Sequence, residues 1–438
     1  MTGAVEVRPP GGVMPETEAF TDGPEWLQRF REEARERFSA TGFPTTRLEE
    51  WKFTNVAPIA KTTFRAGEYK LDAGIAEIAE RLISHTDAIP VVFINGKYCR
   101  KLSKHSGLPG GVKVSSLHDA LRNGDHLHHH LAAEAPDTGP FVWLNAASFE
   151  DGAYVQVASG VVLERPIHLI FISSSDGGPS VSHPRNLITL GALAQASVIE
   201  TYTGADGDVY FTNAVTGVIA EEGSVLTHYK VQKESDRAFH IATMQVHQGR
   251  QSNVTCHSFS FGGGLVRNDA KLVLGDGAEG VLDGLYITSG KQHVDNHTVI
   301  DHAKPHAASR ELYKGVLSGH SSAVFNGKVI VRKDAQKTDA KQSNRNLLLS
   351  EEAVINTKPE LQIYADDVRC THGATIGQLE ERALFYLRSR GIGQQEAREM
   401  LIRAFAQEVI ARVKPDDLRG ELERELDARL KAGRGAVS

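Results

Sequence analysis

The chain has 438 residues, a formal net charge of −6 and three cysteines, Cys99, Cys256 and Cys370. A chain this long buries enough apolar surface to fold without disulfides or structural metals, and its cysteines are too few for a four-cysteine zinc or iron–sulfur site. The acidic balance argues against nucleic acid as the main partner. Scattered cysteines, apolar runs too short to span a bilayer and no signal-peptide pattern predict a cytoplasmic protein without a membrane segment.

The N-terminal third is predicted to be a disordered tail followed by a helical and mixed domain. Residues 1–20 are rich in Pro, Gly and Glu and show no periodic pattern. Residues 21–140 begin with Pro24 and apolar side chains three or four positions apart, which is typical of an amphipathic helix. Further along, the apolar run 90–94 before Asn95-Gly96 predicts a strand and a tight turn.

Residues 141–355 are predicted to be a β-solenoid. Short alternating or apolar stretches separated by Gly and Asp recur about every ten residues, with no helical pattern between them. Such spacing is typical of a sandwich, a barrel or a solenoid, and the region is much longer than a sandwich of about 100 residues. We therefore expect a mainly β protein with a right-handed parallel β-helix core and helical regions at both ends, although no fixed repeat length is visible.

Helical patterns return in residues 356–438. One helix is predicted to stop at Gly391 and a second at Pro415. In the last helix the leucines at 418, 422, 426 and 430 form a narrow stripe. Such a stripe packs either on the body of the protein or on a partner.

Motifs for independent catalysis are absent from the sequence. There is no phosphate-binding G-x-x-x-x-G-K-[S/T] loop, no G-x-S-x-G and no H-E-x-x-H. The run Gly262-Gly263-Gly264 lacks the following Lys and helix start, so it is interpreted as a turn. An independent ATPase, hydrolase or zinc protease is therefore disfavoured.

Two groups of histidines are weaker metal-site candidates. The first would splay its imidazoles around a helix, so solvated surface is favoured over metal binding. The second includes three side chains on one face of a strand, with the donor types that suit iron or zinc, but polar ladders in a solenoid favour a structural role. The first group is His126, His128, His129 and His130; the second is His293, Asp295, His297, His302 and His306.

The segment 364–379 contains the strongest candidate site. Strand alternation places Cys370 and His372 on the same side, about 7 Å apart, which is within reach of one soft metal ion. The alternative is a buried cysteine and a hydrogen-bonded histidine at the edge of the core. On the residues alone, this alternative is somewhat favoured.

The chain resembles the SufB/SufD family of Suf scaffold proteins over most of its length. The matching segments are 309–317, 335–349 and 358–368, with a further match at 47–56. Segments 370–379 and 384–392 are similar to the SufD branch rather than the SufB branch, which has a glutamate-containing motif after the cysteine.

The resemblance implies a β-helix core between helical ends and a non-catalytic subunit that builds and transfers iron–sulfur clusters. Its implied partners are SufB, bound through the β-helix edge, and the ATPase SufC, bound through the C-terminal helices. His372, with Cys370 as a second candidate, would ligate a transient cluster shared with SufB, and the chain itself would bind no nucleotide. The candidate partner-binding residues are Phe385, Tyr386, Leu387, Arg390, Met400 and Phe405.

Two alternatives stay open. A carbohydrate-active enzyme of the polysaccharide lyase type also uses a β-helix, but it needs clustered carboxylates or arginines in a groove, and such enzymes are largely exported. A homodimeric scaffold would work without SufB, and the mass of the native complex would distinguish it.

Overall fold

The computed structural model describes residues 13–14, 23–105, 107–123, 127, 130–131, 139–175 and 177–432. Of the predicted disordered tail, only Val13 and Met14 are among these residues. His126, His128 and His129 of the first histidine group lie outside them. Within the described ranges, no helix is both long and apolar enough to cross a membrane.

Two parallel sheets built from alternating strands form the core. From β8 onward, even-numbered strands pair in one sheet (sheet A) and odd-numbered strands in the other (sheet B), each with the strand two positions further along the chain. The predicted mainly β fold with a β-solenoid core and helices at both ends is confirmed. The strands are β1 (Arg65–Ala66), β2 (Ile89–Ile94), β3 (Lys97–Tyr98), β4 (Val112–Ser116), β5 (Ala153–Val157), β6 (Ile167–Ser173), β7 (Ser180–Ser182), β8 (Arg185–Leu190), β9 (Gln195–Gly204), β10 (Tyr210–Ala220), β11 (Val225–Lys233), β12 (Phe239–Gln248), β13 (Asn253–Ser260), β14 (Leu265–Leu274), β15 (Glu279–Thr288), β16 (His293–His302), β17 (Ala308–Leu317), β18 (Ser322–Val331), β19 (Asp339–Leu348), β20 (Val354–Ile363) and β21 (Arg369–Gly377).

Aligned aliphatic side chains hold successive coils together. One inward-facing ladder in sheet A runs through positions 218, 246, 272, 300, 329 and 361, where Val, Leu or Ile stacks on its register partner. Stacked β-branched and aliphatic residues suit a pleated surface that is buried on one side. Neighbouring positions in this ladder are 26 to 32 residues apart, because the turns differ in length, and this explains why no fixed repeat is visible in the sequence.

The N-terminal helices and a 3₁₀ turn pack on the outer face of sheet A and at the first coils. Trp51, Phe141 and Phe211 lie in one buried apolar cluster that joins the turn to the solenoid. The helices are α1 (Glu25–Thr41), α2 (Ala57–Lys61), α3 (Ala73–Ser84), α4 (Leu117–Arg122), α5 (Pro140–Ser148), α6 (Glu381–Ser389), α7 (Gln394–Ile410) and α8 (Asp416–Ala432), and the 3₁₀ turn is Glu49–Trp51.

The C-terminal leucine stripe packs on the body of the protein. Leu418, Leu422 and Leu426 are buried in a cluster with Tyr229 and Phe259 on the outer face of sheet B, and Leu430 packs at its margin. The stripe is therefore an intramolecular contact that fixes α8 to the solenoid.

The solenoid also continues beyond residue 355, where the sequence pattern placed its end. β20 and β21 extend both sheets by one coil, as far as Gly377. Both strands have exposed or half-buried residues on either face. The alternation that reveals an inner strand is therefore weak in this coil.

Replacing Leu422 by Ala is expected to lower the free energy of unfolding by about 3 kcal/mol, because the change leaves a cavity under α8. Met400→Ala, at a half-exposed position, is the matched control and should change stability by less than about 0.5 kcal/mol. Urea denaturation of both variants checks this. Equal stabilities would contradict the packing of α8 on sheet B.

Candidate functional site

The last coil of the solenoid forms an open end. In the described part of the chain, β20 ends sheet A and β21 ends sheet B, so each pairs along one edge only. The free edges carry backbone N–H and C=O groups without strand partners, which is the usual template for adding another strand. Ile363 and Ile376, which belong to the inward-facing rows of their sheets, are exposed here because no further coil covers them.

Cys370 and His372 both lie on the inward-facing row of β21. Cys370 is the register partner of the buried Ala340, and His372 is the partner of the buried Gln342. The Cys370 side chain packs half-buried against the solenoid core, whereas His372 is exposed. The open end thus brings the two sequence-predicted residues to one face.

The environment of Cys370 favours its protonated form. Burial raises the pKa of the thiol, and a hydrogen bond with the backbone of Ala340 offsets only part of this effect. A thiolate is the form that ligates iron. Cys370 therefore has to lose its proton to bind a metal ion.

The second histidine group has a structural role. Asp295 accepts hydrogen bonds from Thr54 and Arg267, at 2.5 and 2.9 Å. His297 lies 3.0 Å from the Asp295 carboxylate and 3.2 Å from that of Glu50. These residues hold the segment around the 3₁₀ turn against β14 and β16.

The same contact includes an Arg–aromatic pair. The Arg267 guanidinium lies 3.8 Å from the centre of the Trp51 ring and donates to the carbonyl of Glu50 at 2.6 Å. Burial opposes the charged form of His297, but Asp295 and Glu50 outweigh burial and raise its pKa to about 9. We call this set of contacts between Glu50, Trp51, Thr54 and the solenoid the N-terminal clamp.

His293 belongs to the clamp, because it pairs with the hydroxyl of Thr54 at 2.9 Å. The other two histidines of that group are separate from the clamp. His302 is buried and pairs with the hydroxyl of Ser309 at 2.9 Å, and His306 occupies an exposed turn with a φ of 61°. No group of three or more His, Cys, Asp or Glu side chains within the described ranges is arranged to hold a metal ion.

The six predicted partner-binding residues fall into two environments. α6 buries none of its side chains, and Phe385 and Tyr386 are 74% and 58% exposed. Phe405 differs from the others because its ring packs under the Lys314 ammonium group, which lies 4.2 Å from the ring centre, and so fixes α7 to the solenoid. The exposed aromatic surface of α6, with Leu387, Arg390 and Met400 beside it, is named the helical patch.

Part of the solenoid interior is polar, which the sequence pattern does not predict. Glu200, His228 and Lys230 lie inside the solenoid around a cavity of about 40 Å³ that also contacts Cys256. Burial lowers the pKa of Lys230 to about 8, and nearby carboxylates offset part of this effect. Polar residues at alternate positions of an otherwise buried strand were the available signal, but alternation alone does not say which face points inward.

Residues 17–169 match the family model of the SufBD protein N-terminal region, and residues 171–405 match that of the SUF system FeS cluster assembly, SufBD core domain. The chain is 36% identical to an iron–sulfur cluster assembly SufBD family protein of Synechocystis sp., over 90% of this chain and 88% of the relative. It is 31% identical to the iron–sulfur cluster assembly protein SufD of Escherichia coli, over 90% of each chain.

A more distant relative is the iron–sulfur cluster assembly protein SufD of Bacillus subtilis, 25% identical over 93% of this chain and 95% of the relative. None of these findings favours the polysaccharide lyase alternative.

The N-terminal clamp should weaken as the pH rises. The pKa of His297 is raised to about 9 from an ordinary value of 6.5. Its ion pairs therefore stabilise the clamp fully below pH 6.5 and are lost as the pH passes through 9, a change of about 3 kcal/mol. Amide hydrogen exchange of residues 47–54 at pH 7 and pH 9.5, corrected for the intrinsic rate, should show this loss.

His297→Gln should remove the pH-dependent part of that protection, whereas His320→Gln, at an exposed position in a turn, should leave it unchanged. The same pH dependence in wild type and His297→Gln would contradict the assignment.

Proposed function

Since this chain belongs to the SufBD family and is a scaffold subunit of a Suf iron–sulfur cluster assembly system, we propose that it is the non-catalytic member of a paired scaffold. In this proposal, its open solenoid end joins SufB, and the SufC ATPase binds its C-terminal helices. The cluster is cargo that is held for a time and then passed on.

The observation that carries the proposal is the open end of the solenoid. Two unpaired strand edges and uncovered apolar side chains such as Ile363 and Ile376 surround the face that contains Cys370 and His372. A second β-helix can continue both sheets through backbone hydrogen bonds while covering the apolar side chains. Ligands from both chains would then meet at the junction.

A shared cluster agrees with the donors that this chain offers. Cys370 and His372 are two ligands at most, and an iron–sulfur cluster is held mainly by thiolates. The partner therefore supplies the remaining ligands. Coordination by iron would also release the Cys370 proton, because metal binding requires the thiolate.

The helical patch is the proposed docking site of the ATPase. Exposed aromatic residues next to an arginine are typical of the residues that dominate binding energy at protein interfaces. Arg390 lies 5.2 Å from the centre of the Tyr386 ring, which holds the two side chains together on the surface. The sequence has no nucleotide-binding loop of its own, so ATP hydrolysis is assigned to the partner.

We also propose that the assembly works in the cytoplasm. The three cysteines are free thiols, and a reducing compartment keeps both these thiols and a nascent cluster from oxidation.

Replacing His372 by Ala is expected to leave the fold intact and to reduce cluster accumulation on the reconstituted complex at least about tenfold, because losing even a hydrogen-bond partner of a metal ligand typically costs about 10- to 100-fold. Anaerobic iron and sulfide content of the purified complex measures this. His320→Ala is the matched control, since that histidine is exposed in a turn between two coils. An unchanged cluster yield for His372→Ala would refute its role as a ligand.

The double variant Phe385→Ser and Tyr386→Ser should weaken ATPase binding by 2 kcal/mol or more, about thirtyfold in Kd, without lowering stability. Val162→Ser, which removes an exposed apolar side chain from the N-terminal part of the solenoid, should leave Kd unchanged. Calorimetric titration with the ATPase distinguishes these outcomes. Equal affinities for wild type and the double variant would remove the helical patch from the interface.

A further inference from the structure

Three side chains form a column inside the solenoid that ends at the candidate site. Glu311 in β17, Gln342 in β19 and His372 in β21 are successive register partners in sheet B. Glu311 and Gln342 are buried, and only His372 is exposed, because no coil follows β21. Gln342 therefore lies directly between the interior carboxyl group and the exposed imidazole.

The amide of Gln342 is fixed in one orientation. Its Nε2 donates to Oε2 of Glu311 at 2.6 Å, and an ionised carboxylate can only accept. Burial raises the pKa of Glu311 to about 7, and the hydrogen bond from Gln342 offsets part of that shift. The carboxylate form therefore predominates at pH 8.

The opposite sheet also restrains this amide. Gly327 in β18 lies so near that a Cβ at that position would be 2.4 Å from Nε2 of Gln342. The missing side chain leaves the space that the amide occupies. The hydrogen bond to Glu311 and the space over Gly327 thus act together to fix the position of the Gln342 amide nitrogen.

This orientation leaves an acceptor without a donor. Oε1 of Gln342 is buried and has no hydrogen-bond partner among the described residues. A buried acceptor without a partner costs about 1–3 kcal/mol, so such atoms are rare. The next rung of the ladder is His372, whose imidazole has no hydrogen bond or ion pair within the described ranges.

We propose that Gln342 is the positioning residue of His372. The two groups are register neighbours that do not touch in this structure. A rotation of the exposed His372 side chain would let Oε1 accept the N–H of the imidazole, which would select one tautomer and direct the lone pair of the other ring nitrogen towards the partner and the cluster. Ligand histidines commonly donate their second N–H to such a partner. Glu311 acts through Gln342 by holding the amide in place. The function of this arrangement rests on the proposed role of His372, but the hydrogen bond itself does not.

The test is the tautomer of His372 in the full-length chain labelled with ¹⁵N in the imidazole rings, at pH 8. The His372 signals are assigned by their loss in His372→Asn. Gln342→Met removes the acceptor at nearly constant volume and should shift the tautomer ratio of His372 about fivefold, the effect of one hydrogen bond of ordinary net strength. Glu311→Gln should shift the ratio in the same direction, by less.

Asn344→Leu is the matched control, because Asn344 is a buried amide two positions along the same inward-facing row. It should leave the tautomer ratio unchanged. If Gln342→Met does not fold, Glu311→Gln carries the test. An equal ratio in wild type and in every folded variant of Gln342 and Glu311 would overturn the proposal.

This outcome is independent of the proposed function. A tautomer shift in Gln342→Met, together with normal cluster yield in His372→Ala, would keep the positioning role and remove the ligand role. The converse pair of results would keep the ligand and remove the positioning residue.

Discussion

Parallel pairing between successive coils is the constraint on which the rest of the structure depends. Each strand finds its hydrogen-bond partners in the coil before and the coil after, so every inward side chain stacks on its register partner. The same rule means that the last coil is satisfied on one side only. The open end is therefore a direct result of how the core is stabilised, and Cys370 and His372 are exposed there because of it.

The architecture could be predicted from the sequence because alternation with glycine turns is a local signal. The residues that decide the fold, such as the aliphatic ladder through Val246 and Leu272, are visible as short apolar stretches. The sequence pattern ends the solenoid too early, because β20 and β21 lack a covering coil and their alternation is weak. Coil length could not be found either, since the turns vary while the strand register stays constant.

For the candidate site, the sequence indicates which residues are involved but not which distant residues they contact. Strand alternation placed Cys370 and His372 on one face, and the structure agrees. The roles of His293, Asp295 and His297 depended on Glu50, Thr54 and Arg267, which lie far away in the chain and give no local signal. The contact between Glu311 and Gln342 likewise could not be predicted from the sequence, because it depends on the register between neighbouring coils.

The N-terminal clamp and the C-terminal helices together have a mechanical consequence. The segment around Glu49 and Glu50 reaches β14, β16, β18 and β20 through Arg267, His297, Lys328 and Lys358. On the other side, α7 and α8 cover sheet B from Tyr229 to Leu347. Bending or twisting the solenoid would have to break contacts on both faces at once. The coils between these two sets of contacts are therefore expected to move as one stiff unit rather than to bend against one another.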